Sequence, residues 1–310
     1  MRISLLNLIS TPVPVLNTIG LNLRVGLSSE DPTVVGHIPE TYRAYLSIYS
    51  PEGLLLDRLL LGDIPPERRR FFDVSAITHA LVPALDHLSV VHRIPTKLLA
   101  QVSSVEDEIE LPTVPEYPLF RSVVEYSYPG GGNGSVIYET PPGLNASTSS
   151  SNTLTFTCQT LLSASVNTFV VLTNYSVNPS YLGVANYHFA LHSLSGERVV
   201  TDNVTISPFA IRILDLAHII PREVVQREMD PQDGLSTFTF IGYSEDASIV
   251  LFAVNAAPDL GAVAVEHTHP PQSYIIPSDP SYQRRAKTEA QIQWKSILSQ
   301  QIGADNRGNE

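Results

Sequence analysis

One stretch of this 310-residue chain occurs twice. The segment "IPPERRRFFDVSAI" (64–77) aligns with "ISPFAIRILDLAHI" (206–219) at an offset of 142 residues. Self-similarity at a fixed spacing indicates a repeated structural unit. The identical positions are Ile64, Pro66, Arg70, Asp73 and Ile77, which match Ile206, Pro208, Arg212, Asp215 and Ile219.

Two further blocks repeat in the same order along the chain. "YLSIYSPEG" (45–53) aligns with "HFALHSLSG" (188–196), and each ends in a Ser-x-x-Gly turn. "VVEYSYP" (123–129) aligns with "AVEHTHP" (264–270) at an offset of 141 residues. The three blocks predict a tandem duplication, in which residues 20–128 and 153–276 share one fold, with Gly53 on Gly196 and Asp73 on Asp215.

Short runs rich in Val, Ile, Leu, Phe, Tyr and Thr fill most of the chain, as in "LSVVHRI" and "TFTFIGY". Several of them alternate apolar and polar residues, which is typical of half-buried strands. Helical periodicity is almost absent before residue 280, and 24 prolines punctuate the runs. The predicted fold is all-β, with two tandem antiparallel β-sandwiches.

Composition also marks the expected domain boundaries. The first sandwich is predicted over 1–132 and the second over 153–278. Between them, residues 133–152 are rich in Gly, Pro and Ser, which predicts a linker, although "SVIYE" within it has the pattern of a short strand. A C-terminal helix is predicted over 279–303, and a disordered tail over 304–310.

The C-terminal segment differs from the rest of the sequence. Asp279 is a suitable N-cap and Pro280 suits the first helical turn. An apolar stripe at helical spacing predicts an amphipathic helix that ends near Gly303. Because a sandwich core is already complete, the stripe should cover a sheet edge, an outer face or, preferably, another subunit. The stripe residues are Ala290, Trp294, Ile297, Leu298 and Ile302.

The segment "EHTHPP" places His267 and His269 on one face of a strand. Two histidines at this spacing can contribute to a zinc site, but zinc needs three or four ligands. The aligned copy has Tyr126 and Tyr128 in their place, so metal ligation is not shared. We therefore predict no structural metal here. Packing or an interface is favoured for the paired rings, and a pH-responsive contact is a further alternative.

Other polar residues have structural interpretations. Asp73 and Asp215 each follow a strand, which predicts that their side chains cap a turn. The run Arg68–Arg70 is typical of a solvated edge, and the match of Arg70 to Arg212 predicts a structural partner for Arg70, such as a carboxylate. The chain has no nucleotide-binding, hydrolase, zinc-protease or calcium-loop motif, so no cofactor is predicted.

Charge and hydropathy limit the partners. The net charge is −12, whereas nucleic-acid binding needs a basic face, so no nucleic acid is expected. No apolar run is long enough to span a membrane, and the N-terminus lacks the features of a signal peptide. A single cysteine fits a reducing compartment. The default location is therefore the cytoplasm, although export stays open.

The repeated block resembles the sensory rhodopsin transducer family of small bacterial β-sandwich proteins. The similar pieces are "IYSPEGLLLD", "IPPERRRFFDV" and "VEYSYP" in the first copy and "LHSLSGERVV", "ISPFAIRILDL" and "VEHTHPP" in the second. The duplication and the C-terminal helix depart from that family. The resemblance implies oligomers that act in binding or signalling, without a catalytic site.

Two functions are consistent with these features. The first is a non-enzymatic binding or assembly protein, a homo-oligomer that associates through strand edges, the aromatic pairs and the helix residues Trp294, Ile297 and Leu298. The second is a carbohydrate-binding or carbohydrate-active protein that uses tyrosines as platforms for sugar rings. The candidate platforms are Tyr126, Tyr128, Tyr138, Tyr274 and Tyr282.

Overall fold

The computed structural model describes residues 2–28, 40–66, 68–110, 122–138, 153–178, 180–244 and 247–267, together with Ile292 and Ser296. These residues form eighteen β-strands and a few short helices. The strands are β1 (Arg2–Ser4), β2 (Ser10–Val15), β3 (Asn22–Ser28), β4 (Tyr42–Tyr49), β5 (Leu55–Ile64), β6 (Arg69–Asp73), β7 (His87–Pro95), β8 (Glu108–Glu110), β9 (Ser122–Ser127), β10 (Asn133–Tyr138), β11 (Thr153–Leu162), β12 (Asn167–Asn174), β13 (Ala185–Ser193), β14 (Arg198–Ile206), β15 (Ile211–Asp215), β16 (Ser236–Ser244), β17 (Ile249–Ala257) and β18 (Ala262–His267).

The helices whose bounds the structure describes lie in connections between strands. The α-helices are α1 (Val74–Thr78), α2 (Thr96–Leu99), α3 (Leu216–Ile219) and α4 (Arg222–Arg227), and the 3-10 helices are Leu5–Asn7 and Pro258–Leu260. The all-β prediction is confirmed.

Each half of the chain is a pair of four-stranded antiparallel sheets. In the first half the strand orders are β2-β7-β4-β5 and β10-β9-β3-β6. In the second half they are β11-β16-β13-β14 and β18-β17-β12-β15. Taken in chain order, the two halves have the same topology strand for strand, apart from the added pair β1-β8. This agreement supports the duplication, whose common ancestry stays a prediction.

The repeated turns and caps agree with the same alignment. Gly53 and Gly196 have φ angles of 89° and 86°, a left-handed conformation that favours glycine. Each donates its N–H to a serine carbonyl 2.9 Å away, in Ser50 and Ser193 respectively. Asp73 and Asp215 accept backbone N–H groups at the N-termini of α1 and α3. The two aspartates therefore cap short helices. The sequence had predicted that they cap turns.

The third sequence block is aligned wrongly. Tyr126 lies on β9, which is paired on both sides, whereas His267 lies on the edge strand β18. By position in the sheets, β9 corresponds to β17 and β10 corresponds to β18. The tyrosine and histidine pairs are therefore not equivalent positions. An alternating strand that ends at a proline is a local pattern, and it does not specify where the strand lies in a sheet.

The predicted linker also begins too early. Residues 133–138 form β10, which pairs with β9 along its whole length. The first sandwich therefore extends to Tyr138, and "SVIY" is a strand despite its glycine-rich surroundings. Residues 139–152 lie outside the described part of the chain.

The two sandwiches share a hydrophobic core. Val171, Phe252 and Val254 point away from the interior of the second sandwich, yet all three are fully buried among core residues of the first. The outer face of the β18-β17-β12-β15 sheet therefore packs on the first sandwich, next to β2 and the β9–β10 hairpin. Burial on both faces explains why β12 and β17 are almost continuously apolar.

Backbone contacts fix the same junction. The N–H of Gly132, in the β9–β10 turn, donates to the carbonyl of Gly261 in the second sandwich at 2.8 Å. The hydroxyl of Tyr175 donates to Oγ of Ser10 at 2.7 Å in a buried position. The ring of Phe209 stacks on Tyr49 with a centroid separation of 5.1 Å.

Only two positions of the predicted C-terminal helix are described. Ile292 and Ser296 are helical, and the Ile292 side chain is 63% exposed. Trp294, Ile297 and Leu298 lie outside the described residues, as does His269. Their predicted roles therefore stay predictions. Within the described residues, no helix is long and apolar enough to cross a membrane.

Candidate interaction surface

The most unusual surface lies on β5, the edge strand of the β2-β7-β4-β5 sheet. Four leucines of this strand and of the turn before it are between 47% and 69% exposed. Within the described residues, no strand pairs with the other side of β5. We call these residues, Leu54, Leu55, Leu56 and Leu60, the leucine edge.

The second sandwich provides an internal comparison for the leucine edge. Leu60 pairs with Tyr45 on β4, and the corresponding pair on β13 and β14 is His188 with Asn203. Leu55 pairs with Tyr49, and the corresponding pair is His192 with Arg198. The same edge position is therefore apolar in the first sandwich and polar in the second. Because exposed edges favour association, proteins commonly protect them with polar and charged residues.

Paired charges surround the leucine edge. Asp63, near the end of β5, accepts two hydrogen bonds from the Arg43 guanidinium at 2.7 and 3.2 Å. This interaction lowers the pKa of the Asp63 carboxyl. Arg58 forms an ion pair with Glu106, and Arg70 donates to the backbone carbonyl of Asp63 at 2.6 Å. An apolar centre with a polar rim is the usual anatomy of a protein interface.

The backbone of β5 favours contact through side chains. Register shifts interrupt its pairing with β4 at Leu56 and Leu61, so only a short segment between them is regular. Gly62, which follows the second shift, has a φ angle of 113°. Irregularities of this kind bend an edge strand and limit backbone pairing with another chain. The leucine side chains are therefore the main surface that β5 offers to a partner.

Tyr126 and Tyr128, two of the predicted interface residues, belong to the first sandwich's core or pack against it. Tyr126 is fully buried, and its hydroxyl donates to the carbonyl of Pro14 on β2 at 2.7 Å. Tyr128 is half-buried and packs against the same core. Tyr126 is thus a core residue that ties the two sheets together, which corrects its assignment as an interface residue.

His267 does not form a metal cluster with its described neighbours. It lies at the end of β18, half-buried and opposite Phe252 in the register. The preceding carboxylate, Glu266, accepts a hydrogen bond from the Thr157 hydroxyl at 3.0 Å. Among the described residues, no group of three or more His, Cys, Asp or Glu side chains is arranged to hold a metal ion.

A buried serine–histidine pair lies on the outer face of the β2-β7-β4-β5 sheet. Oγ of Ser47 is 2.9 Å from Nε2 of His92, and Arg58 donates to the same Oγ at 3.2 Å. Such pairs activate nucleophiles in some hydrolases. Here both residues are almost completely buried, and burial, aided by the nearby Arg58 charge, lowers the pKa of His92 to about 3. This imidazole is a weak base, so the pair is structural.

The buried His92 makes stability depend on pH. Its pKa is lowered from 6.5 in the unfolded chain to about 3 in the folded protein. The unfolded state therefore binds more protons between these values, and stability falls as the pH decreases through that window. At pH 4 the expected loss from this residue is about 3 kcal/mol.

Chemical denaturation of His92→Gln from pH 7 to pH 4 measures this contribution. The variant should lose less stability over the range than the wild type does, because glutamine does not titrate. His79→Gln is the control, since His79 is exposed. Parallel pH profiles for the wild type and His92→Gln would contradict the assignment.

Comparison with known proteins identifies no family. No protein-family model matches the sequence, and no curated protein matches it. A β-glucuronidase from glycoside hydrolase family 2 is similar in structure, with 11% identity and a TM-score of 0.18 over 83% of this chain. The chain spans 23% of that enzyme's length.

Two other solved structures show the same degree of similarity. The serine-rich repeat protein Srr2 of Streptococcus agalactiae has 8% identity and a TM-score of 0.18, covering 87% of this chain and 86% of its own. A structure of infectious bursal disease virus, strain Gx, has 11% identity and a TM-score of 0.17, covering 86% of this chain and 71% of its own. The fold is therefore defined by the strand topology alone.

Proposed function

We propose that this is a non-enzymatic assembly protein that self-associates through the leucine edge. The observation that carries the proposal is the contrast between the two sandwiches. Leu55 and Leu60 are exposed on the edge strand of the first sandwich, whereas Arg198 and Asn203 occupy the corresponding positions of the second sandwich. One fold therefore tolerates a polar edge, so the exposed leucines of β5 are not required by the fold itself.

A second copy of the chain is the partner that this surface fits best. A two-fold contact buries the same patch on both subunits, so each leucine contributes twice to the interface. Full burial of a leucine side chain contributes about 2 kcal/mol. The flanking ion pairs Arg43–Asp63 and Arg58–Glu106 leave little unpaired charge to oppose the approach of an identical surface.

The test exchanges the leucine edge for the residues of the second sandwich. In the double variant Leu55→Arg, Leu60→Asn, the mass measured by light scattering should fall to that of a monomer at concentrations where the wild type is associated. Both replacements occur at the matching positions of β14, so the fold should tolerate them. Circular dichroism and thermal unfolding verify that it does.

Leu194→Asn is the matched control. Leu194 is 74% exposed in the β13–β14 turn, away from the leucine edge. This variant should keep the wild-type mass. A wild type that is monomeric at all accessible concentrations, or a double variant with unchanged mass, would refute the proposal.

The carbohydrate alternative has less support among the described residues. A sugar platform needs an exposed aromatic face, and Tyr126 is fully buried. Tyr274 and Tyr282 lie outside the described residues, as does the side chain of Tyr138. A glycan array tests the alternative directly. The resemblance to the sensory rhodopsin transducer family, which implies oligomeric binding proteins, agrees with the proposed assembly role.

A further inference from the structure

The leucine edge is small for a protein interface. Its four side chains expose on the order of 300 Å² of apolar surface. A stable interface buries about 800 Å² on each partner. A second copy that binds the leucine edge must therefore contact further surface beside it.

The apolar surface continues from β5 across β4 to the second sandwich. Leu55 lies opposite Tyr49 in the register, so the two side chains are neighbours on one face of the sheet. On that face the ring of Phe209 stacks on Tyr49, with 5.1 Å between the centroids. Tyr175 and Tyr181 meet the Phe209 ring edge-on, each at 6.1 Å. A continuous row of rings therefore connects the leucine edge to the second sandwich.

A loop with two exposed apolar side chains follows this row of rings. Leu182 and Val184, which lead into β13, are 83% and 45% exposed. Hydrogen bonds fix the loop on both sides of Leu182. The hydroxyl of Tyr181 donates to Oδ1 of Asn174 at 2.7 Å, and the side-chain amide of Asn174 donates to the carbonyl of Gly183 at 2.7 Å. The loop therefore presents its apolar side chains in a defined position.

The turn that carries Phe209 is strained and touches the start of the leucine edge. Phe209 has a φ angle of 59°, which is a rare conformation for a bulky side chain. Strain of this kind persists where the surroundings impose it, and it clusters at functional sites. The carbonyl oxygen of Pro208 is so close to Gly53, which precedes Leu54, that a methyl group on Gly53 would lie 2.0 Å from it. The strained turn thus holds the second sandwich beside the leucine edge.

We propose that Leu182 and Val184 join the leucine edge in one composite surface that binds a second copy of the chain. This inference rests on the proposed self-association and extends its surface to the second sandwich. In a two-fold contact both parts of the surface are used twice. Neither sandwich carries the whole surface, so assembly requires the two sandwiches to be joined as they are in this structure.

The double variant Leu182→Asn, Val184→Thr tests the composite surface. Its dissociation constant for self-association, measured by analytical ultracentrifugation, should rise about 10- to 100-fold. Thermal unfolding should be unchanged, because both side chains are exposed. Leu194→Asn is the matched control, since Leu194 is 74% exposed at the other end of β13, about 30 Å along the strand from Val184. This control should keep the wild-type dissociation constant.

Hydrogen exchange of the wild type tests the same surface without a substitution. When the concentration is raised through the dissociation constant, amides in 54–60 and in 180–184 should gain protection together. Protection confined to 54–60, or a Leu182→Asn, Val184→Thr variant that associates like the wild type, would overturn the composite surface. If Leu55→Arg, Leu60→Asn still dissociates the protein in that case, self-association through the leucine edge stands alone. A monomeric wild type would overturn both.

Discussion

Replacing Phe252 by alanine should lower the free energy of unfolding by about 3–5 kcal/mol, because the ring is fully buried where the sandwiches meet. Phe252 belongs to the hydrophobic core of the first sandwich although it lies on a strand of the second. Its loss therefore leaves a cavity between the two units. Urea denaturation followed by circular dichroism measures the change.

Val123→Ala is the control for Phe252→Ala. Val123 faces Gly26 on β3, as Phe252 faces Val171 on β12, so the two residues occupy corresponding positions. Val123 is half-buried on the outer face of the first sandwich, and its truncation should cost about 1 kcal/mol. Equal effects of the two substitutions would show that Phe252 does not pack in a shared core.

Gly53→Ala should destabilise the protein by about 2–5 kcal/mol. A methyl group on Gly53 would lie 2.0 Å from the carbonyl oxygen of Pro208, in the second sandwich. The φ angle of 89° adds strain for any residue with a side chain. The clash with Pro208 acts at the junction, so the variant should also expose the Tyr49–Phe209 stack to solvent.

Gly196→Ala separates the two contributions. Gly196 has nearly the same φ angle, 86°, in the corresponding turn, but a methyl group there meets no atom within 4 Å. Only the conformational strain remains, which is about 1–2 kcal/mol. The difference between the two variants, measured by urea denaturation, is the contribution of the junction. An equal loss in both would mean that the turn at Gly53 moves away from Pro208 without penalty.

Much of the fold follows from local signals in the sequence. The Ser-x-x-Gly turns recur with the same backbone hydrogen bond, because glycine meets a specific backbone requirement. Asp73 and Asp215 both cap a helix, although Asp73 accepts from the N–H of Ala76 and Asp215 from that of Ala217. The block at 123–129 was aligned with the wrong strand of the second sandwich. It was matched by an alternating strand pattern that many strands share. Position within a sheet depends on pairing between distant segments, which a short pattern does not record.

The sequence does contain a feature that indicates the contact between the sandwiches, namely the almost continuously apolar strands β12 and β17. On the outer face of the first sandwich, the charged residues Arg24 and Glu125 are paired in the register. The corresponding pair of the second sandwich is apolar, Phe169 with Val254. A continuously apolar strand indicates burial on both faces. The runs "TFVVLTN" and "IVLFAVNAA" therefore pointed to an outer face covered by a further layer.

The leucine edge was harder to predict. In "LLLDRLLLGD", the density of leucine is typical of a buried strand, whereas the structure places this strand at the edge of its sheet. Exposure at an edge depends on the absence of a neighbouring strand, which the sequence of β5 alone does not encode. The comparison with β14, once the register is known, reveals that the leucines are exceptional.

The polar outer face of the first sandwich limits how such units can be joined. Arg24 forms an ion pair with Glu125 there, at 3.3 Å, where the second sandwich presents apolar side chains to its neighbour. A third sandwich docked by the same geometry would remove this ion pair from water, with a desolvation penalty that the contact does not offset. The stacking of sandwiches by this contact is therefore self-terminating, unlike that of a solenoid, whose repeats each accept another.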